Sequence, residues 1–227
     1  MRKLGFPKDD IVRIDLHCHS EHSLDASSSV ILLAKTASER NLDGFIISDH
    51  NTIAGWNDIK EANKKFPDVI IYRGVEISAK EGHVLAIGIQ ELVPRGLSLA
   101  ETIDLIHEQG GIASPTHPFD FLRSGVGKMC FDLPVDAVET HNGSVIIPQF
   151  NYKAQRMAMK FSLPGIGGSD SHTFREMGLG FTECTHLPTD EDELIKLIQQ
   201  NKTIGKGSHM TVLEKVKRRL LITIKRG

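Results

Sequence analysis

Short apolar segments alternate with helix-forming segments along almost the whole chain, and this alternation restricts the fold more than any other feature. Candidate strands rich in Ile and Val, bounded by Gly, Asp or Pro, fall at 11–17, 44–48, 69–75, 83–89, 111–116, 135–141, 164–169 and 179–184. Helical patterns fill the intervals 29–40, 55–66 and 148–161. Ser98 and Glu101 form a capping box ahead of Leu99, Ile103, Leu105 and Ile106, and Gly110 follows as a stop. Thr189 precedes Asp190, Glu191 and Asp192, acids that suit a helix N-terminus, with Leu194, Leu197 and Ile198 as its buried face. Strand alternating with helix predicts parallel strands joined by crossover helices. Seven or eight such units suit a closed barrel better than an open sheet. The expected organisation is one α/β domain over residues 1–200, followed by a basic helix or tail over 201–227.

Composition excludes several other classes. At 227 residues, 40% hydrophobic and 25% charged, the chain has enough apolar material for a full core and is neither disordered nor fibrous. No apolar run reaches the roughly 18–20 residues of a membrane span, so no membrane partner is expected. Met1–Asp10 has a basic start without an apolar h-region, so it does not read as a secretory signal. Cys18, Cys130 and Cys184 are odd in number and widely spaced, which reads as buried thiols in a reducing, cytoplasmic setting. Residues 201–227 hold eight Lys/Arg against one Glu, although the whole chain carries a formal net charge of −2. That tail is either a solvated helix or an anion-binding element. The acidic body has a second explanation, neutralisation by bound cations.

In α/β barrels chemistry collects beyond the C-terminal ends of the strands. Strand one ends Asp15-Leu16-His17-Cys18-His19. Side chains alternate along a strand, so His17 and His19 share a face and Cys18 takes the other. Two imidazoles so placed can chelate one metal. Asp25 follows in a polar loop, strand two ends Ser48-Asp49-His50-Asn51, and strand three ends Gly74-Val75-Glu76. Strand four opens on Gly82-His83, a later strand ends Thr116-His117-Pro118, and another ends Gly168-Ser169-Asp170-Ser171-His172. Nine imidazole or carboxylate donors exceed the three or four that one zinc ion takes. The set suggests two or three metals with a carboxylate bridging.

These motifs, in this order from about Arg13 to Gln200, resemble those of the PHP superfamily of polymerase and histidinol phosphatase domains. The resemblance implies a distorted (β/α)7 barrel. It implies that His17, His19, Glu76 and Asp170 hold one metal, that Glu76 bridges to a second completed by His83 and His117, and that Asp25, His50 and His172 hold a third. His141 also ends an expected strand and competes for a metal or substrate role. Mixed imidazole and carboxylate donors suit Mn, Zn or Fe, and the family uses all three.

The expected chemistry is hydrolysis of a phosphomonoester by metal-bound hydroxide, with His17, His19, Glu76, Asp170 and His172 acting through the metals. The absence of a G-x-S-x-G elbow, a P-loop or a catalytic cysteine motif agrees with this. Arg123 and Arg175 follow ligand-bearing segments and are candidates, with His141, for holding a small phosphorylated substrate. Asp15 and Asp49 neighbour ligands and are candidates for orienting imidazoles, and could equally be turn or cap residues. Three other readings stand beside this one. A phosphodiesterase or nuclease would use the basic tail (Lys215, Lys217, Arg218, Arg219, Lys225, Arg226) on a nucleic-acid backbone. An amidohydrolase also opens on His-x-His, but no lysine ends an expected strand here, and Glu76 takes the bridging place. A non-catalytic metal-binding module would not need every ligand position filled.

Overall fold

The computed structural model describes residues 11–226. The Met1–Asp10 segment and the side chains of Arg219, Lys225 and Arg226 lie outside the described residues. The chain runs β1 (Val12–Cys18), α1 (Val30–Glu39), β2 (Gly44–Ile47), α2 (Trp56–Lys65), β3 (Ile70–Ser78), β4 (His83–Ile87), α3 (Leu99–Glu108), β5 (Ile112–Pro115), β6 (Val138–Asn142), α4 (Pro148–Phe161), β7 (Gly165–Gly168), β8 (Gly180–Cys184), α5 (Glu191–Gln199), β9 (Thr203–Gly207) and α6 (Val212–Arg226). The helix ends follow local chemistry. Ser29 caps α1 by accepting from the Leu32 amide, and the Ser98–Glu101 box is reciprocal at α3. Pro148 begins α4, where its missing N–H costs nothing. At α5 the cap is Asp190, one residue beyond Thr189, accepting from the Glu193 amide at 2.9 Å.

Seven strands form one curled sheet in the order β5-β4-β3-β2-β1-β8-β9, and β6-β7 form a parallel pair. The pair fills the gap between the two edges. The Ile166 carbonyl of β7 packs against Gly205 of β9, the Asp136 amide before β6 donates to the Ala113 carbonyl of β5, and the Asp170 amide after β7 donates to the His17 carbonyl of β1. The result is a distorted α/β barrel, the architecture that the resemblance implied.

The expected all-parallel arrangement is corrected at four pairings. Pairing of β4 with β3 and β5, and of β8 with β1 and β9, is antiparallel. Only four residues join β3 to β4, whereas a parallel return needs a dozen or more. The domain boundary is also corrected. β9 begins at Thr203 and pairs with β8, so the barrel continues past residue 200.

Inside the barrel, Ile14, Leu16, Ile46, Tyr72, Leu85, Ile87, Ile112 and Ile166 form an apolar layer with Leu194, Leu197 and Ile198 of α5. The outer faces pack on helices, Phe45 and Ile47 against α1 and α2, and Val75, Ile77, Val84 and Ala86 against α3 and α4. A register shift between Asp15 and Cys18 lets Leu16 join the interior layer while His17 enters the polar layer above it. No helix among the described residues is long and apolar enough to cross a membrane.

Candidate metal centre

The polar layer is built around Glu76. Its Oε2 lies 3.1 Å from His17 Nε2, 3.3 Å from His19 Nε2 and 3.2 Å from His50 Nδ1. Its Oε1 lies 3.3 Å from both His83 Nδ1 and His117 Nε2, and accepts from the Thr116 hydroxyl at 2.7 Å. One buried carboxylate thus touches five imidazoles. The β3–β4 hairpin explains His83: because β4 runs antiparallel, its first residue sits at the same end as the last residues of β3, with Ser78 paired to His83. β5 regains the direction of β3 and delivers His117 to that end.

Asp170 completes the group from the other side. Its Oδ1 lies 3.5 Å from His19 Nε2, 3.9 Å from His17 Nε2 and 3.4 Å from His172 Nδ1. His172 Nε2 meets Asp25 Oδ2 at 3.1 Å, and His50 Nε2 lies 3.6 Å from the same oxygen. Both His117 (φ 31°) and Asp170 (φ 53°) adopt the left-handed region, which re-aims their side chains where the strands end. All nine residues expected from the sequence are thereby brought into one cluster.

The cluster fits metal ions. His17 Nε2, His19 Nε2, His83 Nδ1, His117 Nδ1 and Asp170 Oδ1 are buried without a hydrogen-bond partner, although several stand close to an opposite charge. Donors held about 2.1 Å from a common ion stand roughly 3.0–3.4 Å apart, close to most of the spacings here. Three triads qualify by mutual distance: His17, His19 and Glu76; His50, Glu76 and His83; and His19, His50 and His172.

Without metal the cluster holds protons in their place. Burial disfavours charge on His17, but Glu76, Asp170 and Glu139 outweigh it and carry its pKa well above the ordinary value. Burial likewise opposes charge on His19, yet Asp170 and Glu76 raise its pKa to about 9. Burial and the charge of His19 push His50 down to about 4, against the pull of Glu76. Charged His19 stabilises the metal-free fold fully below the ordinary value of 6.5, and this contribution is lost as pH rises through about 9. A metal ion needs the neutral imidazole, so its affinity rises over the same window. The melting-temperature gap between metal-loaded and chelated protein is therefore expected to widen from pH 6.5 to pH 9. A constant or narrowing gap in paired thermal scans would refute this.

Orientation of the imidazoles falls to a residue that strand-end reasoning passes over. Glu139 Oε1 accepts from His17 Nδ1 at 2.9 Å, and Oε2 accepts from the His117 amide at 2.5 Å and from Asn142 Nδ2 at 2.9 Å. This sets His17 with Nε2 directed at Glu76. Neither Asp15 nor Asp49 contacts a ligand imidazole directly. Asp15 accepts from the Ser169 and Gly178 amides and braces backbone turns, whereas Asp49 accepts from Ser20 and from the Ser23 hydroxyl, which lies 3.3 Å from His19 Nδ1, so Asp49 reaches an imidazole only through Ser23. Loss of a carboxylate behind a ligating histidine typically costs 10–100-fold in metal affinity. Glu139→Gln is expected to fall in that range by competitive chelator titration; an unchanged affinity would show that His17 is oriented by packing alone.

Two expected substrate contacts are corrected. A register shift between Glu139 and His141 leaves Thr140 as the extra residue, which turns Glu139 inward and His141 outward. His141 Nε2 meets the Ser208 carbonyl at 3.0 Å, in a separate shallow cavity with His209 and Tyr152. Arg175 is also outside the cluster. The turn that brings Glu176 back onto the His172 amide throws Arg175 outward over the Phe174 ring. Arg123 lies at the edge of the cluster. Its Nη2 contacts Asp170 Oδ2, and its Nη1 is buried without a partner. The cluster opens into a cavity of about 640 Å³ walled by His50, His83, His117, His172 and Arg123 on one side and by α6 on the other.

Residues 15–132 match the model of the PHP domain, and residues 148–203 match that of the PHP-associated region. An uncharacterized protein of Methanocaldococcus jannaschii is 34% identical over 141 residues, which cover 58% of this chain and 82% of that protein. A two-domain protein from Bacteroides vulgatus containing a predicted PHP-like metal-dependent phosphoesterase superposes over 87% of this chain, with a TM-score of 0.72 at 16% identity. This chain spans 65% of that longer one, just under two thirds. Endonuclease Q, in complex with a 27-mer duplex bearing an abasic lesion at its active site, superposes over 95% of this chain and 72% of its own, with a TM-score of 0.63 at 16% identity. At these identities the structural likeness is one of fold.

Proposed function

The chain belongs to the PHP domain family, and from that premise we propose that it is a metal-dependent hydrolase of phosphomonoesters. The observation that carries this reading is the single buried carboxylate of Glu76 touching five imidazoles at the barrel mouth. On this reading His17, His19, Glu76 and Asp170 hold one ion, Glu76, His83 and His117 a second, and Asp25, His50 and His172 a third. Divalent ions there would supply Lewis-acid chemistry, lowering the pKa of water and neutralising charge on the phosphoryl group.

The chain's own residues do the rest. Arg123 is anchored through one nitrogen to Asp170, and its other terminal nitrogen is free to donate to a phosphate oxygen. A guanidinium held in this way loses little freedom on binding. Asn142 Nδ2 donates to both Glu139 and Asp170, tying the residue behind His17 to the Arg123 partner. The thiol nearest the cluster is poorly placed as a nucleophile: Cys18 is buried on the outer face, and burial pushes its pKa well up. Direct attack by water therefore suits the site better than a covalent intermediate.

The test is phosphate release from a panel of phosphomonoesters and short oligonucleotides, using protein stripped by chelator and reloaded separately with Mn, Zn or Fe. Metal-dependent release from monoesters is expected. Cleavage of oligonucleotides without monoester turnover would favour the phosphodiesterase reading, to which the basic α6 at the mouth lends support. Metal binding with no turnover of either class would favour a non-catalytic module.

A further inference from the structure

We propose that the mouth recognises a second anionic group on the substrate, apart from the phosphoryl group at the histidine cluster, and that Lys215 of α6 binds it. This rests on the phosphoesterase reading for the identity of the first group. The helix that carries Lys215 lies beyond both segments matched by the family models, 15–132 and 148–203.

The helix is firmly seated. Thr211 and Glu214 cap it reciprocally, the Thr211 hydroxyl donating to Glu214 at 2.7 Å and accepting from the Glu214 amide at 3.2 Å. Arg218 is buried and donates to Ser144 Oγ at 3.1 Å and Glu176 Oε2 at 3.4 Å. Glu176 in turn accepts from the His172 amide at 2.9 Å. The helix is thus pinned to the segment that bears the cluster, and Lys215 lines the cavity beside Arg123.

The three cations of this wall differ in one respect. Arg123 is paired with Asp170, and Arg218 with Glu176. Lys215 has no carboxylate within 4.0 Å among the described residues. Its side chain is half-buried all the same, and burial together with Arg123 and Arg218 holds its ammonium below the usual lysine range. Asp120 and Asp170 act on it only from beyond contact distance, and such an unpaired, partly desolvated cation is stabilised by an anion that reaches it. Leu122, Val212 and Val216, each more than half exposed, line the same cavity and offer an apolar surface to the part of the substrate between the two anions. The ligand class that fits is an organic phosphoester with an apolar body and a second, distal anionic group.

The test uses non-hydrolysable arylphosphonates bearing a carboxylate on phenyl, phenylacetyl or phenylpropionyl arms, each against its neutral methyl ester. Binding to metal-loaded full-length protein is measured by calorimetry. At least one carboxylate is expected to bind about tenfold more tightly than its ester, the order of one charge-assisted contact. Lys215→Gln should bring that ratio near unity, and Lys215→Arg should restore most of it. No preference in the unmodified protein, a preference that survives Lys215→Gln, or an equal weakening of acid and ester would each overturn the proposal. The last would place Lys215 on the phosphoryl group instead. The ratio needs no turnover, so an absence of phosphate release would count against the hydrolase reading and leave this result intact.

Discussion

Glu76→Gln is expected to lower phosphate release by about 10³-fold or more and to leave the protein with less than its full complement of metal. The substitution preserves shape and removes one charge. Burial opposes ionisation of Glu76, but the surrounding imidazoles, His17 and His50 foremost, keep its pKa well below the usual carboxylate range. It is therefore the anion around which five histidines are arranged. An amide oxygen is a poor bridge between two dications, and its N–H₂ would face imidazole nitrogens that must donate lone pairs to metal. A thousandfold loss corresponds to about 4 kcal/mol of transition-state stabilisation, within what a bound metal ion supplies. Metal content by elemental analysis and phosphate release on the same preparation would check this. Full metal stoichiometry with more than a tenth of the activity retained would show that Glu76 does not bridge.

Gly168→Ala is the second large effect, and it acts through the backbone. A Cβ at Gly168 would lie 2.3 Å from His17 Cβ and 2.5 Å from the His17 amide nitrogen. Neither atom can yield without moving β1 away from β7, and the Gly168 carbonyl is itself packed against Gly180. Overpacking a core costs about 1–3 kcal/mol when side chains can adjust. With backbone as the obstacle the loss should reach about 3 kcal/mol or more, or roughly 10 °C in melting temperature for a chain of this size. Gly110→Ala is the control. Gly110 has φ +78° and nothing within 4 Å of its Cβ position, so it tests the conformational cost alone, about 1 kcal/mol. Denaturant unfolding of both variants would separate the two costs. Equal destabilisation would remove the close-approach argument.

The residues that reveal themselves in the sequence do so through local rules. His17 and His19 share a face because side chains alternate, and the Ser98–Glu101 box caps α3 because two side chains three residues apart satisfy each other's amides. Apolar periodicity places the strands within a few residues, and strand ends nominate Glu76, His83, His117 and Asp170. These properties need only a residue and its near neighbours in the chain. Glu139 and His141 show the limit. Alternation puts them on the same face, but the register shift at Thr140 arises from pairing with β7, so the inward residue is Glu139. Asp15 is adjacent to a ligand in sequence yet braces backbone turns, and Asp49 reaches the His19 ring only through Ser23, because orientation of an imidazole depends on which groups the fold brings beside it. Arg123 and Arg175 have equivalent positions after ligand segments, and only the turn around Glu176 sends one inward and the other out. The basic tail carries no sign in its composition of where it docks; the buried Arg218–Glu176 contact seats α6 against the mouth and gives Lys215 its place there. The sequence alone thus determined which residues lie at strand ends and helix caps, since periodicity and capping are short-range. Strand direction, bulges and the meeting of distant side chains came from long-range pairing and packing, whose energies depend on partners tens of residues away.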